Sequence, residues 1–384
     1  MLRTTTLINN TSVTRLLELW TERYVPDLST LSSSMEDLTL SEVVEAASPE
    51  GRAKTVAKLQ QMVEINCKCA GIQTNVIFSY IPNVVRLTEA QGIARTAAKV
   101  YQKVLEVYQQ QLPSPTLLAA IPQVGTFKFS TDALSSSVMP QLSLREVQQL
   151  ATAIEPVLLQ LQEQHLSAPD RRTIGFMSTQ FHITSKLVLN RLTLPEQLLL
   201  SPYFKFVEEQ VCIPWERVCA AAAKHDLDSP VLALVRRLLP ASGEIAKKVY
   251  QQAVELYPNH RSLRGTLSEP GVRTSSIRDI EMFQAYLWLC ALEGNMTAVE
   301  EEFLPLCMMV FPSINVSWKL VEQLLPLLMA EIQAHVSPDQ MRLLLPYTQA
   351  MQQLFSNVEI KAARNSEYEI KVAKNSKYHP LPSR

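Results

Sequence analysis

The feature that most narrows the folds open to this chain is a recurring set of helix-start signals through its second half. Ser143 with Glu146, Thr193 with Glu196 and Thr297 with Glu300 have the spacing of a capping box, in which hydroxyl and carboxylate satisfy each other's orphan amides. Ser201-Pro202, Ser229-Pro230 and Ser337-Pro338 each put a hydroxyl cap before a proline, whose missing N–H is harmless at a first helical position. Gly294 stands where a helix needs a left-handed C-cap. These marks divide residues 143–356 into about eight helices with no strand between them, a pattern that suits a globin-like packing or a bundle. Only 9 glycines stand against 23 prolines, which fits helices punctuated by proline rather than strands joined by glycine turns.

The first half reads less regularly. An amphipathic helix is expected over 12–25, ending before Pro26, and the polar stretch from Leu28 to Leu40 reads as a loop. Two longer helices follow, from Ser48 to about Ile72 and from Thr88 to about Gln111, with apolar residues at three- and four-residue spacing (Ala57, Leu59, Met62, Val63; Ala97, Val100, Val104, Val107). They are expected to pair as a hairpin. The expected division is an N-terminal helical domain over 1–112, a proline- and serine-bearing linker over 113–142, a connecting helix over 143–170, a main helical domain over 171–356 and a tail over 357–384. The tail duplicates a decamer, EIKAARNSEY then EIKVAKNSKY, and reads either as a frayed basic end or as a docking arm for an acidic partner.

Composition excludes several functions. With 47% apolar and 19% charged residues and a net charge of −1, the chain can bury sizeable cores and has no polyelectrolyte character, so nucleic acid is not an expected partner. The opening MLRTTTLINNTSVTRLLELW lacks a basic segment followed by an apolar core, so a cytoplasmic protein without a secretory signal is expected. No window approaches the ~18 consecutive apolar residues of a membrane span, and LVEQLLPLLMAEI is interrupted by Glu322, Gln323 and Pro326. Membrane insertion is not expected.

Few residues offer chemistry. Cys67-x-Cys69 has no second pair or suitably spaced histidine, so no metal site is expected. Cys212 and Cys219, seven apart, read as core positions on one helix face. His182 and His260 invite comparison with the haem ligand of globins, but histidines scattered through a helical chain land in such places by chance. No Ser-His-Asp order, glycine-rich phosphate loop or His-x-x-x-His gives catalysis a foothold, and the chain is expected to be non-enzymatic.

One stretch allows more. Ile277-Arg278-Asp279-Ile280-Glu281, then Tyr286, Leu289, Glu293-Gly294-Asn295, Thr297, Glu300-Glu301, Met309 and Ser313, resembles the phycobiliproteins, the light-harvesting subunits of the phycobilisome. In that family a Cys-Leu-Arg-Asp motif opens a helix, Gly-Asp closes it after the same interval, and Thr-x-x-Glu-Glu opens the next. The resemblance is most specific over 273–330 and extends more weakly back to Leu200-Ser201-Pro202, while residues 1–170 resemble no family. It implies an all-α protein with a globin-like, phycobiliprotein-type C-terminal domain.

In chromophore-bearing members the cysteine thiol bonds to the bilin, the arginine holds a propionate and the aspartate accepts pyrrole N–H groups. Ser276 stands at the cysteine position here, and a hydroxyl does not supply the nucleophilic anion that a thiol of pKa ~8.5 does, so no covalent pigment is expected. Arg278 and Asp279 are then open to two readings. Either they receive a tetrapyrrole non-covalently, in a residual pocket with Ser276, Phe283 and Tyr286, or they are structural, the aspartate at a helix start and the arginine on a nearby acid. Tyr203, Phe204, Phe206 and Trp215 cluster where family members build an intersubunit interface, and read either as a partner surface or as packing against residues 1–166.

The resemblance therefore implies a chromophore-lacking binding or regulatory protein of photosynthetic light harvesting in a cyanobacterium, at the cytoplasmic face of thylakoid membranes. Its partners would be phycobilisome subunits or a second copy of itself. The alternative is a sensor that holds a tetrapyrrole or other small apolar ligand without a covalent bond and signals through its N-terminal helices.

Overall fold

The computed structural model describes residues 11–26, 38–79, 85–113, 117, 140–170 and 172–376, with the side chains of 11, 12, 15, 216 and 359–376 outside the description. The described chain is almost entirely helical. Before the expected linker come α1 (Thr11–Thr21), α2 (Leu40–Ala47), α3 (Pro49–Gln60), α4 (Val63–Ile77) and α5 (Leu87–Gln109). After it come α6 (Leu144–Ser167), α7 (Thr173–Leu189), α8 (Leu194–Cys212), α9 (Trp215–Ala222) and α10 (Pro230–Leu256). A short hairpin, β1 (Arg261–Ser262) with β2 (Gly265–Thr266), precedes α11 (Pro270–Glu293), α12 (Leu304–Ser313), α13 (Trp318–His335) and α14 (Pro338–Ser376). A π-helical turn, Val299–Phe303, leads into α12. The expected linker and the loop from Leu28 lie almost wholly outside the described residues.

Local chemistry explains most of the boundaries. The boxes at Ser143/Glu146 and Thr193/Glu196 both form and open α6 and α8. Ser229-Pro230 and Ser337-Pro338 precede α10 and α14, and Gly294 closes α11 at φ +71°. Two of the expected starts do not form. Ser201-Pro202 lies inside α8, because the box eight residues earlier has already nucleated the helix. At Thr297 the amide of Glu300, which a capping box would give to the Thr297 hydroxyl, bonds instead to the Met296 carbonyl, and the chain enters the π-turn. The single helix expected over 48–72 is two, because a tight turn at Gln61-Met62, with the Met62 amide on the Leu59 carbonyl, swings α4 away from α3. Between loop and helix the sequence reading also passed over α2, whose Thr39/Glu42 box is fully formed.

Packing joins the two halves of the chain. α4 packs on α5 and α7, α5 on α6, α7 on α8, α8 on α2, α10 on α11 and α13, and α1 on both α9 and α10. One continuous apolar core runs from Val13 to Phe355. The aromatic cluster expected as a partner surface is part of this core: Tyr203, Phe204, Phe206 and Trp215 are between 1% and 3% exposed. Each meets an N-terminal aromatic. Trp20 stacks on Trp215 at 3.9 Å between centroids, while Phe206, Phe204 and Tyr203 make edge contacts with Tyr24, Tyr101 and Tyr108. Pairs of this kind add about 0.5–1.5 kcal/mol each beyond area burial. Packing within the chain, not an exposed association surface, is what these residues form.

An ion cluster fixes the same seam. Arg23, just beyond α1, lies 4.1 Å over the Trp20 ring and bonds Glu209 of α8 at 3.1 Å and Glu281 of α11 at 2.5 Å. The Lys205 ammonium caps the Arg23 carbonyl at 2.7 Å. Glu209 keeps 1% of its side chain in water, so Arg23→Ala leaves a buried carboxylate with no cation and is expected to lower the unfolding free energy by about 3–5 kcal/mol. Urea denaturation followed by far-UV dichroism measures this, with Glu209→Gln in the Arg23→Ala background recovering part of the loss.

Candidate functional site

The Arg-Asp pair does not open its helix. α11 starts at Pro270, after Glu269, so Arg278 and Asp279 sit about two and a half turns in, beyond the reach of the helix N-terminal field. The macrodipole explanation for Asp279 therefore fails, and its partner is the adjacent side chain. Arg278 binds Asp279 through Nη2 at 3.0 Å and Nε at 3.3 Å.

The pair lies in the wall of a cleft. Val272, Ser276, Asp279 and Phe283 follow one another at helical spacing along one stripe of α11, and the cleft runs beneath them with Arg278 on its flank. α7 contributes His182 and α8 contributes Glu208; the hairpin region adds His260, Arg264 and Leu267; α13 adds Leu320 and Leu324. The enclosed volume is about 150 Å³. Of the residues singled out in the sequence, Ser276, Arg278, Asp279 and Phe283 come together here, with His182, His260 and Cys212. Tyr286 does not: it is 1% exposed, stacks on Phe303 at 4.5 Å and faces a second, smaller cavity of about 100 Å³.

Charges in the cleft form a chain. His182 Nδ1 lies 3.0 Å from Glu208 Oε2, which lies 3.8 Å from Arg278 Nη1, which leads to Asp279. Burial by itself would raise the Glu208 pKa, but His182 and Arg278 outweigh it and hold the carboxyl below its ordinary value. Burial would likewise lower the Arg278 pKa, and Asp279 and Glu208 reverse the sign, so the guanidinium stays charged. Arg264 has no carboxylate within ion-pair distance among the described residues. Although it is exposed, partial desolvation and the neighbouring Arg278 push its pKa down. His260 is half-buried, its Nε2 is enclosed without a hydrogen-bond partner, and desolvation lowers its pKa.

The hairpin that carries Arg264 depends on Gly265. Its φ of +121° is a conformation side chains avoid, and a Cβ there would meet the Glu269 Cγ at 2.6 Å. The Leu263 amide on the Ile314 carbonyl ties the hairpin to the end of α12, and the Tyr250 hydroxyl on the Leu267 carbonyl closes the floor. Sequence reasoning missed Arg264 and Glu208. The Arg-Gly of HRSLRGTLSEPGV was the available signal for the first, and nothing local marks the second.

The cysteines divide by side of helix. Cys67 faces the core and Cys69 faces out, since residues two apart on a helix diverge, so the pair shares no ligand geometry. Among the described residues no three His, Cys, Asp or Glu side chains converge as metal ligands. Cys212 and Cys219 are not on one helix, because α8 ends at Cys212 and α9 begins after Pro214; both are buried. Burial pushes the Cys67, Cys212 and Cys290 thiols up to about 12.

Two measurements follow from these environments. Native protein is expected to react rapidly with a thiol reagent at Cys69 alone and at all 6 cysteines once unfolded, counted by mass spectrometry. Because the folded Glu208 pKa is depressed, its contribution is complete above the unfolded value of about 4.5 and is lost as pH falls through the lower folded value. Urea midpoints against pH are expected to show a step in that window which Glu208→Gln lacks.

Among the described residues no helix is long and apolar enough to cross a membrane. Compared with family models, curated proteins and solved structures, the chain matches none.

Proposed function

We propose that this chain is a non-enzymatic binding protein that holds a small apolar ligand in the Arg278 cleft without a covalent bond and reports it through its N-terminal helices. The cleft carries the reading. It brings Ser276, Arg278, Asp279 and Phe283 together with His182, Glu208 and Arg264 around an apolar floor, the composition of a ligand site with a few convergent polar groups. Glu208 faces this cleft while the adjacent Glu209 holds Arg23 on the other side of α8, so the site and the N-terminal clamp share a helix.

Size bears on the ligand. An enclosed volume of about 150 Å³ is the size of an engineered cavity that takes benzene. A tetrapyrrole would place one ring inside and the other three in the open mouth, so a smaller ligand suits the cleft better. The descent from a phycobiliprotein-type, globin-like frame, the loss of covalent pigment at Ser276, and the association with phycobilisome subunits or a second copy near the thylakoid all rest on the resemblance over 273–330. They form the second reading, of a chromophore-lacking regulator of light harvesting.

Full-length protein purified from bilin-producing cells is expected to be colourless and to show no pigment band on a denaturing gel stained with zinc. Pigment bonded to Ser276 would overturn this. Ligand-observed NMR with a panel of single-ring compounds is expected to show saturable binding that Ser276→Trp, which fills the cleft from its wall, removes.

A further inference from the structure

The inner end of the cleft has an apolar lining separate from the main core. Ala253, Leu267, Val272 and Leu320 form their own buried cluster, with Leu324 packed against it. Above it the polar groups are unequally committed. Glu208 is engaged by His182 and Arg278, and Asp279 by Arg278, which leaves Arg264 as the cation with no carboxylate of its own among the described residues. His260 lines the same cleft, and its Nε2 is enclosed and has no hydrogen-bond partner. A buried ring nitrogen without a partner is costly unless something at the site bonds to it.

Resting on the reading of the cleft as a ligand site, we propose that its occupant is a small aromatic monocarboxylate. The ring lies on Leu267, Val272, Leu320 and Leu324, and the carboxylate at the mouth is held by Arg264 with His260. Three observations select this class. The enclosed volume of about 150 Å³ accepts one ring. The unpaired guanidinium presents a planar fork that matches a carboxylate. The lining holds two arginines and two carboxylates, with Arg278 bonded to the adjacent Asp279 and near Glu208, so a single added negative charge falls to Arg264 where a dianion would bring a second charge beside Glu208 and Asp279. The lining also orients the ligand, since a ring turned outward would leave the carboxylate against leucines.

Titration calorimetry on the full chain tests the class, with benzoate as the probe, benzyl alcohol as its neutral match and biliverdin as the tetrapyrrole. Benzoate is expected to saturate one site per chain and to bind at least about tenfold more tightly than benzyl alcohol. Arg264→Gln, on an exposed hairpin, is expected to weaken benzoate by about tenfold or more and to leave benzyl alcohol within about twofold. Leu324→Trp, filling the apolar end, is expected to remove both, with dichroism checking that each variant folds. Benzyl alcohol binding as tightly as benzoate, or benzoate unaffected by Arg264→Gln, overturns the carboxylate assignment and leaves the cleft a ligand site. Stoichiometric biliverdin binding without benzoate binding does the same in favour of the larger ligand. If none of the three probes binds, the carboxylate proposal and the ligand-site reading fall together.

Discussion

A buried guanidinium is the charged tie between the first described helix of this protein and its second half. Arg23 lies over Trp20, which stacks on Trp215, and its charge is shared between Glu209 on α8 and Glu281 on α11. Taking an arginine and two carboxylates out of water is expensive, and such a cluster adds little net stability over an apolar replacement. Its effect is directional. Apolar surfaces tolerate many docking angles, whereas a fork that meets two carboxylates on different helices accepts one. α1 is thereby fixed against α8 and α11, and those two helices are the ones whose opposite flanks carry Glu208, Arg278 and Asp279.

What could be read from the sequence was what is local in the chain. Ser143/Glu146, Thr193/Glu196 and Gly294 are decided within a few residues, and all three formed as their spacing requires. Ser201-Pro202 has the same local signature and failed, because a stronger start upstream had committed the helix and burial on both sides tolerates an interior proline. Pro156, Pro240, Pro312, Pro326 and Pro346 also lie inside helices, while Pro270 opens α11 directly after Glu269, so in this chain a proline does not mark a boundary by itself.

The site was legible in part for the same reason. Ser276, Asp279 and Phe283 share a helical stripe that spacing reveals, and the cleft lies along it. Tyr286 continues that stripe and was misplaced, because α11 is buried nearly all round from Ile280 onward and periodicity no longer distinguishes cleft from core. Arg264, His182 and Glu208 reach the cleft from three other elements. No pattern in one segment announces a meeting made by tertiary packing. The aromatic cluster at 203–215 posed the converse problem: composition identified residues that dominate an interface, and the interface proved to be the one inside the chain.

Cys212 occupies the boundary between the two cavities, lining both the Arg278 cleft and the smaller space beneath α6. The residue common to the two linings stands at the last position of α8, where the chain turns toward Pro214. A smaller residue at that place would enlarge the space on both sides of it, toward Arg278 on one and toward Tyr286 on the other. Cys212 thus borders both compartments at once, and its bulk rather than its sulfur is what a substitution there would alter.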